Sequence, residues 1–329
     1  LQDKVTHAYR YATGAPGVKA ITADDFPTVE PVAAAAAKPA AKAAAGPVRL
    51  GTFAAGTGRT APYLIKGLLF KESYAEIYGP PSIGKTFVAL DLGYHVAAGK
   101  AWMGRKVHQG SVLYLAFEGM GGLVKRARAL RQKYGTADVP FYVHPADFNL
   151  REQAGRQALG GVIAALPEKP ALIVIDTLAH ALRGGDENSA QDVSAFNTGV
   201  QALIAHTGAC VLILHHPGKD ASRGPRGSSA LQGAVDTEIS VSRGALTPTK
   251  QKDIELGEAI GFRLVPVPVG IDEDNEVVTS CVVEPAEVAK DMGVKLAGNA
   301  RMGWEQLCMA RPTNEPMHLE DWIKVCTPF

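Results

Sequence analysis

Gly79-Pro80-Pro81-Ser82-Ile83-Gly84-Lys85-Thr86 fits the pattern GxxxxGK followed by Ser or Thr at each of its fixed positions. The pattern carries meaning only where a strand leads into it and a helix leads out. Residues 73–78, Ser-Tyr-Ala-Glu-Ile-Tyr, form a short run of strand character, and 85–98 read as a helix. In that setting the two glycines let the main chain wrap a polyphosphate, with backbone N–H groups and the helix N-terminus facing its oxygens. Lys85 then meets the β- and γ-phosphates, and the Thr86 hydroxyl ligands Mg²⁺. Pro80 and Pro81 fix φ and stiffen the start of the loop. Gly79, Pro80, Pro81, Ser82, Ile83, Gly84, Lys85 and Thr86 are thus the candidate site for ATP, with Mg²⁺ as its metal.

Working outward, the same alternation repeats. Apolar runs occur at 73–78, 111–117, 171–175 and 209–214, and helix-like windows at 85–98, 120–134, 151–166 and 190–207. Near-continuous apolar strands alternating with amphipathic helices predict an α/β fold whose mostly parallel central sheet is covered by helices on both faces. Farther on, 238–242, 261–269 and 276–283 are closely spaced strands, which predicts an antiparallel C-terminal extension of that sheet.

The chain has 329 residues, 46% hydrophobic and 20% charged, which excludes wholesale disorder and fibrous repeats. With 34 Lys and Arg against 33 acids, it does not coat nucleic acid by bulk charge; local basic loops stay possible. Cys210, Cys281, Cys308 and Cys326 form no CxxC pair and have no His at zinc spacing, so they read as reduced thiols of a cytoplasmic protein. No run of about 18 apolar residues exists, so no membrane span is expected. Residues 31–47 are Ala, Pro and Lys of low complexity, a tether by composition. The expected organisation is an N-terminal tail and linker over 1–47, an ATPase domain over 48–285, and the start of a helical, winged-helix-like module over 286–329. Residue 1 is Leu, which reads as a fragment of a longer chain.

Two further strands end in acids. Asp176 closes the run 171–175, the arrangement known as Walker B, and at the carboxyl end of a buried parallel strand it is placed to hold Mg²⁺. That puts it beside the phosphate loop if the two strands are neighbours. Glu118 closes 112–117 and is the candidate general base that orients and deprotonates water; its other reading is a favourable contact with the helix that follows.

Together these residues resemble the RecA-like P-loop ATPases, and within them the RepA-type hexameric replicative helicases of plasmids and phages, over about 66–285. The resemblance implies a RecA-like core and makes Glu118 the catalytic base. It also rests on Val211-Leu-Ile-Leu-His215-His216-Pro-Gly-Lys219 and on Arg226-Gly-Ser-Ser-Ala-Leu231. It implies that His215 or His216 senses the γ-phosphate, and that Arg226 acts in trans as an arginine finger, with Arg223 competing for the same role. Lys250 and Lys252 are implied to approach a neighbouring subunit's nucleotide.

Loops 182–192 and 217–228 are the candidates for gripping single-stranded DNA. The second is the better, through Lys219 and Arg223, because the first carries Asp186, Glu187 and Asp192. The implied activity is ATP hydrolysis by a homo-oligomer, a hexameric ring, working with single-stranded DNA and replication proteins. The alternative is a RecA-like switch or loader that regulates protein partners without unwinding. A kinase on the same core is disfavoured by Glu118 and the His pair, and no zinc or primase motif occurs in 1–47.

Overall fold

The computed structural model describes residues 62–135, 138–216 and 229–288. The chain divides into two units, 1–58 and 59–329, and every described residue belongs to the second. The linker at 31–47, the loop 217–228 with Lys219, Arg223 and Arg226, and the helix expected over 294–325 lie outside the described residues.

After a small antiparallel pair, β1 (Tyr63–Ile65) and β2 (Leu69–Phe70), the core begins at β3 (Tyr74–Tyr78). It continues through α1 (Lys85–Ala98), β4 (Val112–Ala116), α2 (Met120–Tyr134) and β5 (Phe141–Pro145). Next come α3 (Gln153–Ala164), β6 (Leu172–Asp176), the short α4 (Leu178–Ala181), α5 (Ala190–Thr207) and β7 (Cys210–His215). The last elements are α6 (Ser229–Ala234), β8 (Thr237–Ser242), β9 (Ala245–Gln251), β10 (Ile260–Ile271) and β11 (Val277–Pro285). Nine strands form one sheet in the order β11-β10-β9-β8-β3-β7-β6-β4-β5. From β8 to β5 the pairing is parallel, and from β8 outward to β11 it is antiparallel, as the sequence predicts.

Every residue of β3, β4, β6 and β7 is buried, because helices cover both faces of the parallel part. Side chains alternate between the faces. Ala75, Ile77, Val112, Tyr114, Leu172, Val174, Leu212 and Leu214 pack on the face of α1. Tyr74, Leu113, Ile173, Ile175, Val211 and Ile213 pack with Val193, Phe196 and Val200 of α5 on the other. Each fully buried aliphatic chain contributes about 1.5–3 kcal/mol.

The register sets the functional level of the molecule. Asp176 pairs with Leu214 on one side and Ala116 on the other, and Tyr78 pairs with His215. One or two residues farther along stand Gly79, Glu118 and His216, so the carboxyl ends of four parallel strands open on one crevice. The strand of Asp176 is not the neighbour of β3, because β7 lies between them.

Candidate nucleotide site

The phosphate loop is built by two glycines with different tasks. A side chain at Gly79 would stand 2.5 Å from the Val241 carbonyl oxygen, so close approach to β8 demands glycine there. Gly84 takes φ +106, a left-handed conformation that L side chains rarely adopt, and it turns the chain into α1. Lys85 is only 6% exposed and folds back on the loop, its ammonium donating to the Gly79 oxygen at 2.6 Å and the Pro80 oxygen at 2.8 Å.

A cleft of about 160 Å³ opens here, lined by Ser82, Lys85, Thr86, Glu118, Asp176 and His216 together with Gly84, Phe87, Arg126 and Thr177. Thr86 Oγ1 donates to Asp176 Oδ2 at 3.1 Å, which bridges the gap left by the intervening strand. Burial raises the Asp176 carboxyl above the usual range, while bonds from Tyr114 and Thr86 work to lower it. Glu118 is exposed at the cleft mouth with Oε2 3.4 Å from His180 Nδ1. It does not cap α2, whose N-cap is Gly119 without a side-chain bond.

The two histidines separate because they are consecutive at a strand end and therefore face opposite ways. His216 enters the cleft, its Nδ1 3.2 Å from Lys85 Nζ, where it accepts from the ammonium. Burial and the Lys85 charge hold it below the usual histidine range. His215 turns to the α5 face, 1% exposed, with Nδ1 2.5 Å from Glu76 Oε1 and Nε2 3.7 Å from Glu187 Oε2. Burial works to lower it, but Glu187 and Glu76 outweigh that and raise it. His215 is therefore not brought to the phosphate cleft, and of the pair it is His216 that lines it.

Lys250 and Lys252, implied to approach a neighbouring subunit's nucleotide, do not line this chain's own cleft. Lys250 pairs opposite Glu238, whose neighbour on β3 is Glu76, below the level of the loop. Its ammonium donates to the Gln232 oxygen, and that of Lys252 to Asp236 Oδ1 at 2.8 Å. Loop 182–192 is braced within the chain: Arg151 Nε donates to the Leu182 oxygen at 2.9 Å, and its guanidinium pairs with Asp192. Asp192 Oδ2 in turn accepts from the Asp186 N–H at 3.0 Å.

Arg126 is the cleft residue that sequence reasoning missed. Its guanidinium lies 5.0 Å over the Phe87 ring, and its Nε is buried with no hydrogen-bond partner among the described residues. An orphaned buried donor beside a buried ammonium suits an anion, so the residues fit a polyphosphate. They also fit its metal. A hydroxyl and one carboxylate side by side are the sparse protein donor set that Mg²⁺ takes when phosphate oxygens and water complete its shell.

Burial also pushes the Lys85 ammonium down to about 8, against the pull of Asp176 and Glu118. Phosphate charge would raise it again, so the bound form keeps a proton that the free form loses as pH climbs through 8. Nucleotide affinity should therefore fall above about pH 8, with an uptake of about half a proton per nucleotide bound near pH 8 that fades toward pH 7. Calorimetry of ADP binding in buffers of different ionisation enthalpy measures this; zero uptake at pH 8 contradicts it.

Among the described residues no helix is long and apolar enough to cross a membrane. No curated protein matches the chain. Among solved structures, the ATPase domain of another protein is similar at 13% identity and a TM-score of 0.46, covering 64% of this chain and 92% of that one. A family profile described as an AAA domain matches residues 39–222, more than half of the chain and the whole stretch from before the phosphate loop to beyond the His pair. The chain belongs to the AAA domain family.

Proposed function

We propose that this protein is an Mg-ATP-dependent DNA helicase motor, a homo-oligomeric ring acting on single-stranded DNA in plasmid- or phage-type replication. The observation that carries the reading is the gathering of Lys85, Thr86, Asp176, Glu118 and His216 around one cleft at the carboxyl ends of the parallel strands. Lys85 and Arg126 bind the phosphates, while Thr86 and Asp176 hold the metal. Bound Mg²⁺ neutralises charge on the phosphate oxygens. Glu118 accepts the proton of the attacking water, a role suited to a carboxylate at the cleft mouth rather than in its depth. His216, not His215, reads the phosphate, since it alone of the pair touches Lys85. Arg226 supplies charge stabilisation from a neighbouring subunit, a contribution of roughly 10³–10⁵ in rate where such a residue acts. Lys219 and Arg223 meet the DNA backbone.

The test is the steady-state ATPase rate with and without single-stranded DNA, at protein concentrations that assemble the ring. A rise of several-fold or more that disappears in Lys85→Ala supports the motor. Hydrolysis indifferent to DNA rejects it in favour of a switch or loader acting on a protein partner.

A further inference from the structure

We propose that Tyr114 is a positioning residue for the metal site, its hydroxyl fixing the Asp176 carboxylate so that one oxygen stays open to the cation. This assignment rests on Asp176 being the metal-side carboxylate.

Tyr114 is fully buried at the middle of β4 and does not line the cleft. In the neighbouring strand β6 its register partner is Val174, two residues before Asp176. Both strands run the same way, so Tyr114 and Asp176 share a face about 6.6 Å apart along the strand. A phenol leaning along the strand spans that step, and Tyr114 Oη donates to Asp176 Oδ2 at 2.5 Å. Thr86 Oγ1 donates to the same oxygen. No side-chain bond to Oδ1 occurs among the described residues, which leaves that atom to a cation or its water.

Packing alone does not call for the hydroxyl. The ring stacks on Phe141 with centroids 6.2 Å apart, amid Val112, Leu172 and Val174, where Phe would fill the same space. Burying a phenol hydroxyl costs free energy that Phe avoids, unless a partner needs it. That partner is the carboxylate at the end of the next strand. Thr86 can keep donating to Oδ2 while its lone pairs face a cation, but one flexible hydroxyl leaves the carboxylate free to rotate. A second donor on a rigid ring removes that freedom, and groups that orient a metal-binding carboxylate in this way typically control affinity by roughly 10- to 100-fold.

The test uses Mn²⁺ as the probe, titrated into the ADP complex and followed by electron paramagnetic resonance, in the wild type, Tyr114→Phe and Asp176→Asn. Tyr114→Phe should weaken Mn²⁺ binding roughly 10- to 100-fold while ADP affinity without metal stays unchanged. A purely structural role for the ring would leave Mn²⁺ affinity untouched, and that result overturns the proposal if Asp176→Asn weakens it. Unchanged Mn²⁺ affinity in Asp176→Asn overturns the underlying reading of the metal site instead. The ¹³Cζ resonance of Tyr114 in the wild type needs no variant: it should shift when Mg²⁺ joins the ADP complex, and a resonance that stays put overturns the proposal.

Discussion

Lys85→Ala should lose nucleotide binding by roughly a hundred- to several-thousand-fold, the equivalent of about 3–5 kcal/mol for removing one partner from a buried charged contact. The expectation follows from where the ammonium sits. It is desolvated, held by two loop carbonyls and a histidine, and it faces Asp176 and Glu118 across the cleft. A triphosphate entering that cleft meets two carboxylates, and without Lys85 the cation that lines the cleft among the described residues is Arg126. The fold should survive. The lysine's bonds replace bonds to water, and burying its charge costs free energy that alanine does not incur. Fluorescent-nucleotide titration beside thermal melting separates the two effects: lost binding with a melting temperature near that of the wild type is the predicted pair. Binding within a few-fold of the wild type would remove the phosphate loop from the mechanism.

Why this loop was legible in the sequence, and the histidines were not, is a matter of geometry. Gly79 to Thr86 lie together in the chain, and each flanking element is strongly patterned: β3 is a short strand-forming run, and α1 begins at Lys85 where the windowed pattern begins. Asp176 and Glu118 each follow an apolar run, and parallel strands buried on both faces produce such runs. That same double burial hides parity. Val211-Leu-Ile-Leu214 is apolar at every position, so nothing in it says which face His215 takes; only the packing against α5 decides.

Strand order was equally hidden, and with it the insertion of β7 between β3 and β6. Half-exposed β5, ending in Pro145, and β9, with Pro248 among polar residues, lack the signal altogether, being at or near the less buried parts of the sheet. Arg126 escaped for another reason. It shares α2 with Lys125, Arg128, Arg131 and Lys133, and a helix so uniformly basic does not mark the one turn that meets Phe87.

Glu118→Gln should leave nucleotide binding close to the wild type and reduce turnover by roughly 10²–10⁴, the range a positioned general base contributes. The substitution is nearly isosteric, and the amide oxygen can still face His180, 3.4 Å from the carboxylate, so the cleft mouth keeps its shape. What disappears is the capacity to take a proton. The contrast with Lys85→Ala is informative because the two residues line one cleft yet fail differently, one in binding and one in chemistry. Single-turnover hydrolysis of radiolabelled ATP, beside equilibrium binding, reads both. Turnover retained within a few-fold would transfer the base role away from Glu118, and the cleft's remaining carboxylate, Asp176, is committed to Thr86 and Tyr114. If the arginine comes from a neighbour, mixing Glu118→Gln with Arg226→Ala should recover part of the lost rate, since some interfaces then pair an intact Glu118 with an intact Arg226. No recovery at any ratio would place both residues in the same subunit's site.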